Sequence, residues 1–515
     1  MKKRKKKETV MRDNGILLHI SSLPSPWGIG TLGKEAYQFV DDLKKAGQKI
    51  WQILPFNPTG FGDSPYASSS VFAGNPYLID LDELARQGLL EPEEYQKIDW
   101  GSDPEKVDYQ KLWNSRFDVL GLAVSRFLQN PDPEFEDFCA ENRDWLSDYA
   151  LFMAIKNHHG GAPWSEWEPE FRFYSEERAQ AWKVRFYEEW MYWQILQYFF
   201  FRQWQVLHQY ASEHSVEIIG DIPIYAAMDS ADVWRHPDLF MLDDNGQPQQ
   251  VAGCPPDGFS ADGQLWGNPV YRWEKHAETG YAWWIDRIAH MSRLVDVIRI
   301  DHFRGFDSYY SVSFGEQNAR NGRWNQGPGM DLFNAIRNAI GVQNIMAEDL
   351  GYLTDSVKAL LQETGYPGMK ILQFAFDSRD ASSPEYMPYR YQPNCYAYTG
   401  THDNEVLNGW IRSVSEEDCQ TICDYFGVNS PEAVPPLMIR ELMSSAADHT
   451  ILQMQDLLDL DAESRMNVPG RADGNWSWRM LPGAFDAGKQ RCLRRLTKIF
   501  SRLDPSELQP SDLQS

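Results

Sequence analysis

Four acidic residues stand where short apolar runs stop. They are Asp221 in Ile219-Gly220-Asp221-Ile222, Asp301 in Ile298-Arg299-Ile300-Asp301, Glu348 in Met346-Ala347-Glu348, and Asp403 in Tyr398-Thr399-Gly400-Thr401-His402-Asp403. In an extended strand, side chains two apart share a face, so Arg299 and Asp301 point one way and Ile298 and Ile300 the other. A guanidinium beside Asp301 favours the ionised carboxylate, the form a nucleophile needs. Glu348 lies among apolar neighbours, which disfavour its charged form and raise its pKa, as suits a proton donor near neutrality. Alone, the first pair could be a structural ion pair ending a strand, and the second a carboxylate at a helix start. Four such strand ends, two with an adjoining Arg or His, point instead to paired-carboxylate chemistry. Cleavage of a glycosidic bond with retention needs two carboxyls about 5 Å apart, one as nucleophile and one as acid and then base. Opposed strands of a barrel are expected to supply that geometry.

The elements that must position these groups read as a parallel barrel: apolar runs ending in Gly, Pro or an acid, separated by amphipathic helical stretches. Candidate strands are Ile16–Ile20, Lys49–Leu54, Glu217–Ile222, Val295–Asp301, Asn344–Glu348, Met369–Phe374, Tyr396–Thr401 and a segment near Met466–Val468. That is eight, the count of a TIM (β/α)8 barrel, whose catalytic residues lie at the C-terminal rim. The predicted fold is thus an α/β TIM barrel with helical and loop insertions over that rim. The catalytic barrel spans about 11–505. A mostly helical subdomain is expected at about 57–193, followed by a long helix from Trp193 to His214. A Gly-, Pro- and Asp-rich insertion at about 234–271 is expected to be a substrate-covering loop. Ala484 to Leu503 reads as a terminal helix with a basic last turn, followed by a polar tail at 506–515, with no C-terminal β-sandwich domain.

Composition narrows the function. The 515 residues carry a formal charge of −25, which repels a phosphate backbone, so nucleic acid is excluded as a partner. Hydrophobic residues at 42% and charged residues at 24% allow a large soluble core. The basic run Lys2–Lys7 lacks a following apolar core, so 1–10 reads as a disordered arm, with an internal start at Met11, and not as a secretion signal. Ile16–Ile20 is too short to span a bilayer, and no membrane partner is expected. The six cysteines contain no CxxC pair; Cys419 and Cys423 could share a helix face, and buried free thiols suit a reducing cytoplasm. Aromatic residues make up 14%, including 20 Trp. Most belong to the core, but Trp266 and Tyr66, in Gly- and Pro-rich loops, are placed to stack on sugar rings.

The set Asp221, Arg299-x-Asp301, Glu348 and His402-Asp403 resembles the short signature regions of the α-amylase clan. Longer matches are similar to amylomaltases, the 4-α-glucanotransferases of glycoside hydrolase family 77. They include Pro24–Gly30, Gly62-Asp63-Ser64-Pro65-Tyr66, Pro255-Pro256-Asp257, Gly263-Gln264-Leu265-Trp266-Gly267-Asn268-Pro269, Asp301-His302-Phe303-Arg304-Gly305-Phe306, Ala347–Gly351 and Thr401–Asn404. They run in order from about Gly15 to Arg479. The resemblance implies Asp301 as nucleophile, Glu348 as general acid/base and Asp403 as the carboxylate that holds sugar hydroxyls and the distorted ring. It implies that Arg299 and His402 hold substrate and nucleophile, and that Asp221, Ser64, Tyr66, Trp266, Asp257, Gln264 and Asn467 belong to donor and acceptor subsites. The implied partners are α-1,4-glucans and a glucose acceptor. The Asn-His pair that follows the third-strand Asp in α-amylases is replaced by Pro223-Ile224-Tyr225, and there is no clustered oxygen-ligand loop, so neither a calcium site nor any other metal or cofactor is expected. Cys254, Tyr310 and Ser313 depart from the family pattern, at positions that could alter an acceptor subsite. Two competing readings use the same residues: a retaining α-1,4-glucan hydrolase with water as acceptor, and a non-catalytic glucan-binding protein.

Overall fold

The structure is a computed structural model that describes residues 12–256, 261–351, 353–471 and 473–508. Twelve strands are named here in chain order: β1 (Asp13–Leu17), β2 (Ile50–Gln52), β3 (Glu217–Ile222), β4 (Gln250–Cys254), β5 (Gln264–Pro269), β6 (Val297–Ile300), β7 (Ser308–Ser313), β8 (Arg323–Gln326), β9 (Ile345–Ala347), β10 (Gly368–Ile371), β11 (Cys395–Tyr398) and β12 (His449–Gln453). Eight form one parallel sheet in the order β10-β11-β12-β1-β2-β3-β6-β9. It is the cyclic order of a TIM barrel, cut between β9 and β10. The seam is bridged all the same: Ala347 N–H donates to Pro367 O at 3.0 Å, and Met369 N–H donates to the Asp349 carboxylate at 2.6 Å.

The short apolar strands pack tightly enough to dictate small residues. A Cβ on Gly15 of β1 would lie 2.3 Å from the carbonyl oxygen of Ile50 on β2, so no larger residue fits there without separating the strands. Outside the barrel, the helix Lys34–Lys45 buries Ala36, Phe39, Val40 and Leu43, the i, i+3, i+4, i+7 stripe of an amphipathic helix. Glu35 in its first turn and Lys44 and Lys45 in its last turn complement its dipole. At the N-terminal end of the barrel, Asn14 and Gln48 both donate to Thr497 Oγ1, at 3.2 and 3.1 Å, and so tie β1 to the last long helix, Ala487–Ile499.

Between β2 and β3 the chain forms helices at Tyr109–Phe127, Glu134–Glu141, Leu146–His158 and Glu176–Arg185, then the long helix Tyr187–Glu213. That helix starts more than a turn before Trp193, because Tyr187–Tyr192 carry no breaker and Glu188 and Glu189 suit a first turn. Two expectations are corrected. The eighth barrel strand is β12, not the segment near Met466–Val468: His449–Gln453 supplies the apolar run that pairs in parallel with both β1 and β11. The 234–271 insertion is not all loop, because β4 and β5 join β7 and β8 in an antiparallel sheet of order β5-β4-β7-β8. Gly253 and Cys254 of β4 pair with Leu265 and Gln264 of β5, past a bulge between Val251 and Gly253, so the ladder holds this Gly-containing stretch as strand. Burial holds for Cys395 and Cys423 but not for Cys492, which is exposed; Cys419 and Cys423 share the helix Glu416–Phe426.

Candidate active site

Strands β3 and β6 run in parallel with Asp221 opposite Arg299. Arg299 points into the barrel: Nη1 donates to both oxygens of Asp221 at 2.7 Å, and Nη2 lies 2.9 Å from Asp301 Oδ1. Its side chain is 3% exposed. Burial opposes its charge, but the Asp221 and Asp301 carboxylates outweigh burial and hold its pKa well above the ordinary value. The guanidinium is therefore a fixed positive charge behind Asp301, whose own carboxyl reaches the open side of the rim.

Glu348 leaves β9, the strand next to β6 in the barrel, where Ile300 is the register partner of Ala347. Asp301 and Glu348 therefore come from neighbouring strands and not, as expected, from opposed ones. Neighbouring rim ends bring two carboxyls close without any side chain reaching across the barrel. Glu348 Oε2 accepts the His302 N–H at 2.7 Å and Oε1 accepts the Leu350 N–H at 2.9 Å, which fixes the carboxyl plane. Burial, and after it the Asp301 charge, push the Glu348 pKa up to about 7; Arg299 and the two N–H donors work against that rise. A carboxyl poised at neutrality can both give and take a proton.

The third carboxylate is held from the loop after β12. Asn467 Nδ2 donates to Asp403 Oδ1 at 2.6 Å, and Arg465 Nη2 donates to the Asp403 carbonyl at 2.5 Å. His402 is buried against Tyr66, the two rings stacked at 5.3 Å, and Tyr66 Oη reaches both Asp221 Oδ2 at 2.7 Å and His402 Nε2 at 2.9 Å. Ser64 Oγ accepts the Tyr66 N–H at 3.2 Å and so shapes that turn. On β5, Trp266 is 36% exposed and donates through Nε1 to Gln264 Oε1 at 3.1 Å.

Ser64, Tyr66, Gln264, Trp266, Arg299, Asp301, Glu348, His402, Asp403 and Asn467 all line one groove of about 2260 Å³. That is several times a pocket for one small molecule, which runs to roughly 300–1,000 Å³, so the groove suits a chain. Asp221 does not line it: at 1% exposure it lies beneath Arg299 and Tyr66, and its subsite role is corrected to a supporting one. Asp257 lies outside the described residues. Cys254, Tyr310 and Ser313 are absent from the groove walls too. Tyr310 is packed with Val251, Val312 and Ala319 inside the antiparallel sheet, so these departures sit away from the carboxylates.

Sequence reasoning missed His302, Arg465, Gln373 and Trp476, which also line the groove. His302 fell inside a quoted motif without a role, and Arg465 lies just before the Met466–Val468 segment read as a strand. The left-handed backbone of His302, at φ 53°, has no signature in a His codon position. Trp476 packs on both Tyr66 and His402, at 5.6 and 5.8 Å, a contact between segments far apart in the chain.

An eight-stranded parallel barrel with a carboxylate nucleophile candidate, a neutral-range carboxylic acid on the next strand and an elongated groove defines a carbohydrate-active (β/α)8 enzyme. The chain belongs to the 4-alpha-glucanotransferase family, glycoside hydrolase family 77, whose model matches residues 18–484. It is 46% identical over 489 residues to the 4-alpha-glucanotransferase of Clostridium butyricum, covering 95% of this chain and 100% of that one. It is 45% identical to the enzyme of the same name from Streptococcus pneumoniae, with 96% and 98% covered. Among solved structures it is similar to the Streptococcus agalactiae amylomaltase in complex with acarbose, with TM-score 0.92, 43% identity and 96% and 100% of the two chains covered. The Corynebacterium glutamicum amylomaltase, at 17% identity and TM-score 0.72 over 96% of this chain and 74% of that one, shares the fold. Among the described residues no helix is long and apolar enough to cross a membrane.

Proposed function

We propose that this chain transfers α-1,4-glucan segments from a donor glucan to the 4-hydroxyl of glucose or of another α-1,4-glucan, in the cytoplasm, by two displacements at Asp301. The observation that carries the reading is the pair Asp301 and Glu348 on adjacent strand ends, one backed by Arg299 and the other titrating near 7.

In the first displacement an Asp301 oxygen attacks the anomeric carbon while the glycosidic C–O bond breaks and Glu348 gives its proton to the leaving 4-oxygen. The cleaved sugar departs and a glycosyl ester remains on Asp301. In the second, Glu348 takes the proton of an incoming 4-hydroxyl, that oxygen bonds to the anomeric carbon, and the Asp301 ester bond breaks. Two inversions retain the anomeric configuration. Asp403, held by Asn467, is placed to accept hydrogen bonds from sugar hydroxyls and favour a distorted ring. Water competes for the ester, so transfer needs an acceptor that is oriented and a site that excludes water. Trp266, at the groove wall near His302, offers that acceptor surface.

With maltotriose as the single substrate, the protein should yield glucose and a ladder of longer maltooligosaccharides while total reducing ends stay nearly constant. Reducing ends rising in step with substrate loss would make it a hydrolase; binding without products would make it a glucan-binding protein.

A further inference from the structure

Glu348 leaves β9, and β9 and β10 are the two ends of the hydrogen-bonded barrel sheet. The acid/base therefore has a complete ladder on one side only. Toward β6, Glu348 N–H donates to Ile300 O at 3.0 Å, Phe303 N–H donates to the Glu348 carbonyl at 3.0 Å, and His302 N–H donates to the Glu348 carboxyl at 2.7 Å. Toward β10, one main-chain bond is made, from Ala347 N–H to Pro367 O. A parallel ladder begun in this way returns with the Met369 N–H on the Ala347 carbonyl. That N–H goes instead to Asp349 Oδ1, at 2.6 Å.

A side chain thus stands in for strand pairing, one residue past the acid/base. Asp349 is 5% exposed, and it does not line the groove, although Glu348 before it and Leu350 after it both do. Gly368 of β10 leaves the room it fills: a Cβ there would lie 2.5 Å from Asp349 Oδ2 and 2.6 Å from Oδ1. Burial pushes the Asp349 pKa up, and Lys370 of β10 and the Met369 N–H work against that rise. The bond matters to Glu348 through the chain. Leu350 N–H grips Glu348 Oε1 at 2.9 Å, and the residue joining those two is the one anchored on β10. With the anchor gone, the turn from Glu348 to Leu350 is held by β6 alone, and the carboxyl is free to rotate toward solvent.

We propose that Asp349 is a positioning residue for the acid/base: its carboxylate closes the barrel seam on the Met369 N–H and so holds the Glu348–Leu350 turn where Glu348 can pass its proton to the glycosidic oxygen. The proposal rests on the reading of Glu348 as acid/base given above.

The test measures kcat and KM on maltotriose, the alkaline limb of kcat/KM, and kcat on a donor whose leaving group needs no proton. Asp349→Ala should lower kcat on maltotriose by about tenfold to a hundredfold, the scale that a misplacement of about 1 Å reaches. KM should change little, because the loss falls on the chemical step. The donor with the good leaving group should be partly spared. The alkaline limb should move to lower pH, since a Glu348 that reaches solvent loses the burial that, with Asp301, holds it near 7. Asp349→Asn, which keeps an oxygen for the Met369 N–H, should restore most of kcat and the position of the limb. Gly368→Ala attacks the same bond from β10 by pushing the carboxylate off Met369, and should reproduce the Asp349→Ala pattern. Added to Asp349→Ala it should cost little more, as no carboxylate remains to be displaced. It also carries the test should Asp349→Ala fold poorly, because only the end of one side chain has to move. Wild-type kcat in these variants, or an equal loss on both donors with an unmoved limb, overturns the proposal while Glu348→Gln remains slow on maltotriose. A Glu348→Gln variant with near-normal turnover overturns the acid/base reading, and the proposal with it.

Discussion

Asp301 and Glu348 stand at the C-terminal ends of two hydrogen-bonded neighbours, with Ile300 and Ala347 in register just before them. The separation of nucleophile and acid/base is therefore set by the spacing of adjacent strands, about 4.8 Å, and not by the width of the barrel. This is near the separation that double displacement requires. The same closeness places Asp301 among the causes that lift the Glu348 pKa.

Glu348→Gln keeps the shape of the side chain and removes its proton cycle. Turnover on maltotriose should fall by about 10²–10⁴-fold, the usual contribution of a general acid. A donor with a good leaving group, which needs no proton, should be partly spared in the first step. Near-normal turnover on maltotriose would remove Glu348 from the mechanism.

The ester is predicted on Asp301. A slow fluorinated glucosyl donor should leave its mass on the peptide containing Asp301, read by peptide mass spectrometry after proteolysis. Label on a peptide containing Asp403 or Glu348 instead would reassign the nucleophile.

The pH dependence follows from the sign of the Glu348 shift. Its pKa is raised from 4.5 to about 7 by burial and by Asp301, so the protonated acid persists up to neutrality and kcat/KM should decline as pH rises through about 7. The same shift bears on stability. A raised carboxyl contributes stability that is complete below about 4.5 and is lost as pH climbs through 7. Relative to wild type, Glu348→Gln should therefore gain in Tm between pH 4.5 and 7.5. A Tm difference that is flat across that range would contradict the shift.

Asp221 is buried against Arg299 and Tyr66, so its loss should register in both folding and turnover. Asp221→Ala leaves the buried guanidinium with Asp301 as its remaining carboxylate partner and removes the Tyr66 acceptor. Breaking a buried pair of this kind costs about 3–5 kcal/mol, measurable as a lower midpoint in urea. Asp221→Asn should fall between Ala and wild type. A wild-type midpoint in Asp221→Ala would show that the pair carries no stability.

Much of the site was readable from residue order. Acids closing apolar runs, the Arg299-x-Asp301 face and the Pro- and Gly-rich motifs are local features, and local features survive in a linear text. The raised pKa of Glu348 was also foreseeable from its apolar neighbours. What the sequence could not decide were relations between segments distant in the chain. Which run became the eighth strand depended on β1 and β11 offering a gap that His449–Gln453 filled. Whether Asp301 and Glu348 were neighbours or opposites depended on barrel order. The descent of Asp221 below the groove needed Arg299 and Tyr66 above it, from β6 and from the loop after β2. The same holds for His302, whose left-handed turn is stabilised by partners from β5 and β9. Side-chain type and spacing are properties of the chain, whereas burial and pairing are properties of the packed barrel, and these decided which polar residues face the substrate and which hold up those that do.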